Sequence, residues 1–409
     1  MKKIIYLSFL FQWLAVSPII SQVYNDGAEI TIQSGAFIHV QGDFTNQGGI
    51  IFNDGDIEIG GNWFNNVDTN PLDPGSGTVH LLGDDQLIGG DFNTLFYDLN
   101  FGGDQDVLLE STIGIQNSIN INDGTIELNG NTLHILNSSN DAVQVTSGGV
   151  IAETADVYGF VRWDIGEMAE GRYVIPFQNR ALADVPVSFE VTAQGLGDMG
   201  YLLFSTFATD EANNPFPLDV TNIEVSDDAS GLALVDRFWV VEGVDFLRTP
   251  ETSVTYSYDT DSEIDGQNNL DLAELTPINW DGDLQVWSPV ENSTANDGSV
   301  TTSLTEQFGE FALWSDETSS VVDVNKLVDV SVYPNPSSDR ISLEINSDRN
   351  EAMEVQIYNA TGQLVSRYQE NISASNNLLS YDISAYEKGT YRIVMIADSV
   401  NAIESFIKL

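Results

Sequence analysis

Ile38–Asn46 reads IHVQGDFTN and Ile57–Asn65 reads IEIGGNWFN, an offset of 19 residues. Each copy opens on an apolar–polar–apolar triplet and closes on an aromatic residue two places before an asparagine. A coil of a β-solenoid takes about 20 residues, so the spacing predicts coils stacked on one another. Phe44 and Trp63 then lie one above the other, inside the coil or along one edge. The triplet recurs outward from this pair: Ile30-Thr31-Ile32 precedes it, and Val79-His80-Leu81, Ile119-Asn120-Ile121, Ile126-Glu127-Leu128 and Leu133-His134-Ile135 follow. Such alternation marks strands with one buried face. Paired glycines at 48–49, 60–61, 89–90, 102–103 and 148–149 separate the strands and supply their turns.

The chain reads as all-β in three parts. Residues 22–150 form the β-solenoid, or β-helix, and the block from Gly77 (GTVHLLGDDQLIGG) resembles the adhesin-like β-helix regions of bacterial surface proteins. Residues 151–318 carry bulky strands at irregular spacing, among them Val254, Tyr256 and Tyr258 on one face, and read as a central β-sandwich, single or double. An acidic polar stretch, placed at 319–327, reads as a linker. Residues 328–409 alternate cleanly and read as a small Ig-like β-sandwich, with prolines at 334 and 336 forcing a turn after its first strand.

In that last part VSVYPNPSSDRISLEI, VQIYNATGQLV, YDISAYEKGTYRIVMI and ESFIKL follow one another. This order resembles the type IX secretion C-terminal sorting domain, type A. The resemblance implies engagement of an outer-membrane translocon and its surface-processing machinery, with cleavage during attachment or release. The matching positions are Tyr333, Pro334, Asn335, Pro336, Gly362, Leu364, Gly389 and Tyr391. The N-terminus fits export: Lys2 and Lys3 precede the short apolar run Ile4–Val16, Ser17-Pro18 breaks it, and Ser21 offers a cleavage point before Gln22. Residues 1–21 are therefore read as a signal peptide, and no later segment is apolar enough to span a bilayer as a helix. The expected location is the cell surface or the extracellular space.

At 409 residues the chain exceeds what one core supports, so several domains are expected. Sixty-two Asp and Glu against 14 Lys and Arg give a net charge of -48, which disfavours nucleic acid and anionic lipid as partners. The absence of cysteine excludes thiolate catalysis and Cys-bound zinc, and leaves stability to sheets and cores.

Little in the sequence points to catalysis. No Lys or Arg lies between Gln22 and Val161, which removes the base and the carboxylate-stabilising cation that a polysaccharide lyase needs. A glycosidase needs only two carboxylates about 5 to 9.5 Å apart, which the many acids leave open. His39, His80 and His134 each occupy the middle of a triplet, the slot that faces solvent, and read as ordinary surface histidines. Asp259, Asp261, Glu263, Asp265, Asn269 and Asp271 surround Gly266 as a calcium-loop candidate; the bland alternative is a solvated acidic loop. No other cofactor is indicated. Trp280, in the turn-like Asn279-Trp280-Asp281-Gly282-Asp283, is the candidate platform for stacking a sugar. The sequence thus favours a non-catalytic adhesive or structural surface protein. Its alternatives are a carbohydrate-binding or carbohydrate-active protein with an extracellular polysaccharide partner, and a calcium-stabilised matrix component.

Overall fold

The computed structural model describes residues 21–409 except 69–71, 74, 103–104, 155–156, 167–170, 211–212, 224–232, 265–269, 303–307, 316–328, 347–349, 360–362 and 397–400. The signal peptide and the linker therefore lie outside the described residues, apart from Ser21. The described residues are strands, turns and irregular segments, and none of them forms a helix that could cross a membrane. Two compact units divide the chain at Thr318 and Ser319.

The first unit begins as a parallel β-solenoid of about six turns. Ile38 pairs with Ile57, and Phe44 with Trp63, so the 19-residue offset is the register of two successive coils. The two aromatic rings stack, with centroids 4.9 Å apart and planes 12° apart, both buried inside the coil. Along this face Val23 stacks on Phe44, Phe44 on Trp63, Trp63 on Ile88 and Ile88 on Leu109, in steps of 21, 19, 25 and 21 residues. Turns absorb the variation in length while the strands keep their register.

Asparagine closes the corners of the first coils. Asn25, Asn46 and Asn65 pair in register and are buried at the ends of the strands Val23–Asn25, Phe44–Asn46 and Trp63–Asn65. Asn46 donates from Nδ2 to the Gly49 carbonyl and accepts from the Gly49 N–H at Oδ1; Asn25 does the same with Ala28. An amide carries both a donor and an acceptor, so one side chain satisfies two backbone groups that a tight corner leaves without strand partners. Only glycine fits at position 49, because a Cβ there would meet the Ala28 oxygen and the Asn25 amide at 2.1 Å.

The solenoid does not stop at residue 150. Phe160–Trp163 still pairs in parallel with Thr132–Ile135, and its other edge takes Tyr201–Ala208 antiparallel. The same sheet then runs through Ala233–Val244, Gly309–Ser315, Thr276–Asp281 and Val286–Pro289. A five-stranded antiparallel sheet, from Gly171–Ile175 to Ser293–Asn296, faces it. The central region is thus one sandwich grown from the last coils, and a single core cluster joins Ile57 and Trp63 to Trp239 and Tyr256. Rings cross between its sheets at Phe189–Phe204 (4.9 Å) and Tyr256–Phe311 (5.1 Å). A smaller core lies on the reverse face of the longer sheet, where Phe207, Phe238, Trp280 and Trp287 pack with Phe216 and Val220.

The second unit is a small two-sheet structure with its own core, including Leu343, Met353, Ile357, Tyr391 and Phe406. Asp329–Tyr333, Arg340–Asn346 and Asn376–Asp382 make the three-stranded sheet. Leu364–Ile372, Glu351–Asn359, Gly389–Ile396 and Asn401–Lys408 make the four-stranded one.

All seven tryptophans precede the second unit, so tryptophan fluorescence reports on the first unit alone. Trp63→Ala removes a fully buried side chain with the Nε1 bond to Thr94 Oγ1 (3.0 Å). It should cost the first unit about 3–5 kcal/mol in urea unfolding followed by fluorescence. Circular dichroism of the second unit's transition should be unchanged.

Candidate functional site

Asn335 joins the first and last segments of the second unit. Its Nδ2 donates to the Ser405 carbonyl (3.0 Å), and its Oδ1 accepts from the Ile407 N–H (2.9 Å). The Pro334 and Pro336 rings that flank it carry no N–H, so the side chain supplies what the backbone of this turn lacks. Ser337 extends the contact: its N–H donates to the Ile407 carbonyl, and its carbonyl accepts from the Leu409 N–H, both at 2.9 Å. The prolines thus bracket a side chain that ties this turn to the final strand, and the Ser337 backbone adds to the tie.

Other positions of the motif converge on the same strand. Gly389 pairs with Lys408 and Tyr391 with Phe406. The Tyr391 and Phe406 rings stack 5.3 Å apart, and the Tyr391 hydroxyl donates to the Glu387 carbonyl. Tyr333 is partly exposed at the end of its strand. Leu364 begins the strand on the far edge of the four-stranded sheet, and Gly362 lies outside the described residues. Ser337 and Phe406 were not singled out in the sequence. The alternation of ESFIKL, which turns Phe406 inward, was the available signal.

In the first unit the structure places Asp259 beside Glu263, the Asp259 N–H donating to Glu263 Oε2 at 3.0 Å. Glu263 is buried and grips Arg237 with both oxygens, at 2.8 Å to Nε and 2.5 Å to Nη2. Arg237 is 0% exposed and also donates to Thr206 Oγ1 (2.9 Å), with Glu153 Oε2 3.4 Å from Nη1. Glu153 in turn accepts from the Arg180 and Ala208 N–H groups. A buried guanidinium without partners would be very costly, so the sandwich core claims the carboxylate assigned to a surface ion. Asp259 accepts from the Ser262 hydroxyl and the Asp261 N–H, which hold its carboxyl below the usual carboxylate range. Asp271 accepts from the Ala273 N–H, and Asp265 and Asn269 lie outside the described residues. Among the described residues no group of three or more His, Asp or Glu is placed to hold a metal.

Trp280 is not a surface platform. It is 5% exposed and packs 5.4 Å from Trp287 in the reverse-face core, because its strand Thr276–Asp281 turns Ile278 and Trp280 to the same side. The histidines do face outward, each against a carboxylate. His39 Nδ1 lies 2.9 Å from Glu58, His80 Nε2 3.4 Å from Asp56 and His134 Nε2 2.8 Å from Asp164.

The sequence also gave no warning of Glu242 and Glu310, held together on the reverse face of the long sheet. Glu310 pairs across strands with Val240, which makes Glu242 its diagonal neighbour. Burial raises both carboxyls above the usual range; Asp219 adds to Glu242, and Glu242 and Asp219 add to Glu310. A carboxyl whose folded pKa is raised binds its proton more tightly folded than unfolded. Stability therefore falls as pH rises from the unfolded value through the folded one, and returns on acidification. Glu242→Gln should raise the melting temperature at about pH 7 and shrink the gain on moving to about pH 5, read by tryptophan fluorescence.

Comparison with known proteins separates the two units. Residues 331–408 match the secretion system C-terminal sorting domain. No curated protein matches the chain. Among solved structures, that of dimeric latent PorU from Porphyromonas gingivalis is similar at 11% identity. The similarity covers 66% of this chain and 22% of that one, with a TM-score of 0.19. That superposition carries no argument, and the chain spans less than a quarter of the other's length. The sorting domain implies an interaction with the type IX secretion machinery and export to the cell surface or beyond. The chain thus carries a β-solenoid of about six turns and, over residues 331–408, a type IX C-terminal sorting domain.

Proposed function

We propose that the first unit is a non-catalytic adhesive or structural passenger, displayed or released after delivery by the sorting domain. The observation that carries this reading is a row of outward side chains along one solenoid face. His39, Glu58, His80, Asn100, Asn120 and Gln144 follow one another in register. Some are joined along the axis, as in Asn120 Nδ2 to Asn100 Oδ1 at 2.7 Å. A regular row of donors and acceptors suits contact at many points with an extended partner. It gathers no nucleophile, base and acid about one spot, as catalysis requires.

The saccharide-stacking alternative loses its platform with the burial of Trp280, and the calcium alternative loses Glu263 to Arg237. Binding and turnover of the purified mature protein on a polysaccharide panel, with and without calcium, test the reading. Binding or inertness without turnover agrees with it, and turnover overturns it.

Delivery is tested separately. Removing residues 329–409 should leave the protein in the periplasm, and normal surface delivery would refute the role of this domain. Asn335→Ala should destabilise the sorting unit by about 1–3 kcal/mol, with faster hydrogen exchange at the Ile407 amide. It should lower the surface-delivered fraction. Unchanged exchange would show that the Asn335 bonds do not secure the final strand.

A further inference from the structure

The first coil has one paired side and one open side. Val23–Asn25, Glu29–Ile32 and Phe37–Val40 each pair with the coil that follows, at Phe44–Asn46, Ile50–Asn53 and Asp56–Ile59. Among the described residues no strand pairs with their opposite edges. The core column is open at the same place. Val23, Ile30 and Ile38 pack against the core yet stay partly exposed, whereas Phe44, Ile51 and Ile57, one coil on, are at most 1% exposed. On the outside of the same coil Tyr24 is 60% exposed and Phe37 69%.

Terminal repeats of a soluble solenoid carry a polar outer face, and an open strand edge with apolar side chains is a site of pairing. This end is also the part of the solenoid where charge opposes pairing least. Residues 21–42 hold two acids, Asp26 and Glu29, against four in residues 43–61. The edge is complementary to itself. A two-fold axis perpendicular to the Val23–Asn25 face lays that strand antiparallel on its own copy, Tyr24 opposite Tyr24. The same axis sets Glu29–Ile32 of each chain against Phe37–Val40 of the other. Directly opposed residues of an antiparallel pair point to one side, so inward residues must meet inward ones. One register that does this sets Ile30 against Ile38, the two left partly open, and Glu29 against His39. Glu29 then extends a row in which His39 already meets Glu58 at 2.9 Å and Glu58 precedes His80. Acid and imidazole alternate across the joint.

We infer that the first coil pairs head to head with the first coil of a second copy of this chain. The solenoid sheets then run on from one copy into the other, and the sandwiches lie at opposite ends of the pair. The contact is isologous, so it closes at two copies and does not grow into a fibre. It covers the end of one coil in each chain, a small interface that suits a reversible dimer better than a permanent one.

The test is sedimentation equilibrium of the full mature protein at physiological ionic strength, which screens charges more than about 8 Å apart. It should show a monomer–dimer equilibrium with a dissociation constant on the order of micromolar. Tyr24→Lys and Tyr24→Glu each set like charges opposite one another on the two-fold axis, and each should weaken the dimer at least about tenfold. Mixing the two variants should restore it, because lysine then faces glutamate, and a misfolded variant could not be rescued this way. Leu247→Lys, on a sandwich loop and 87% exposed in the native chain, should leave the equilibrium unchanged. A protein that stays monomeric at about 100 μM, about a hundred times the expected constant, would overturn the inference. So would growth beyond the dimer, a dimer indifferent to both Tyr24 variants, or mixed variants that remain monomeric. None of these outcomes bears on the adhesive reading, which the polysaccharide panel decides.

Discussion

Parallel coils in register make each residue of the solenoid the neighbour of the residue one coil on, at the strand spacing of about 4.8 Å. Every inward position becomes part of a column, such as Val23, Phe44, Trp63, Ile88 and Leu109, and every outward position part of a row. The constraint is severe because a one-residue slip would send each column to the surface. Asn25 and Asn46 close their own corners, whereas Asn65 reaches the next coil, donating to the Asn93 carbonyl, a bond that is made only when those two coils are aligned. A cysteine-free extracellular chain can hold its shape this way without cross-links.

A solenoid must also end, and an open end is a row of unpaired backbone groups. Here the last parallel strand, Phe160–Trp163, passes its free edge to an antiparallel partner, so the solenoid sheet becomes one layer of the sandwich. The Glu153–Arg237–Glu263 cluster lies just beyond this handover. Glu153 lies between the coil strands Val143–Ile151 and Phe160–Trp163, Arg237 comes from the middle of the long sheet, and Glu263 from the loop after Glu251–Ser257. Hydrophobic residues of the same volume could give equal or greater stability, but removing any one partner would strand a buried charge. The cluster therefore specifies how the three segments meet more than it adds stability.

Legibility in the sequence followed the distance over which each feature is encoded. The coil register was readable because Ile38–Asn46 and Ile57–Asn65 repeat, and the stacked rings of Phe44 and Trp63 follow from that repeat alone. The sorting unit was readable from its motif order. Trp280 misled because the turn formers after it suggested exposure, while its burial depends on Phe238 and Trp287 from other strands. Glu263 misled for the same reason, since its partner lies 26 residues earlier. Arg237 held a clue: Val235, Trp239 and Val241 share its face of the strand, and an arginine among such residues needs a carboxylate.

The extreme acidity of the chain meets the same stacking rule. Two carboxylates stacked one strand apart repel by about 1 kcal/mol even in water, and by more where solvent is partly excluded. Among the described coil pairings no acid lies on an acid. Glu58 sits between His39 and His80, Asp56 between Phe37 and Thr78, and Asp98 between Thr78 and Ser118. Asp106 faces Thr125, whose hydroxyl donates to it, as Ser118 donates to Asp98. A hydroxyl, imidazole or apolar neighbour at each step lets the solenoid keep a large negative charge without setting coil against coil. The acids are spaced by the register, so the interval that builds the core also limits where charge can be placed on the surface.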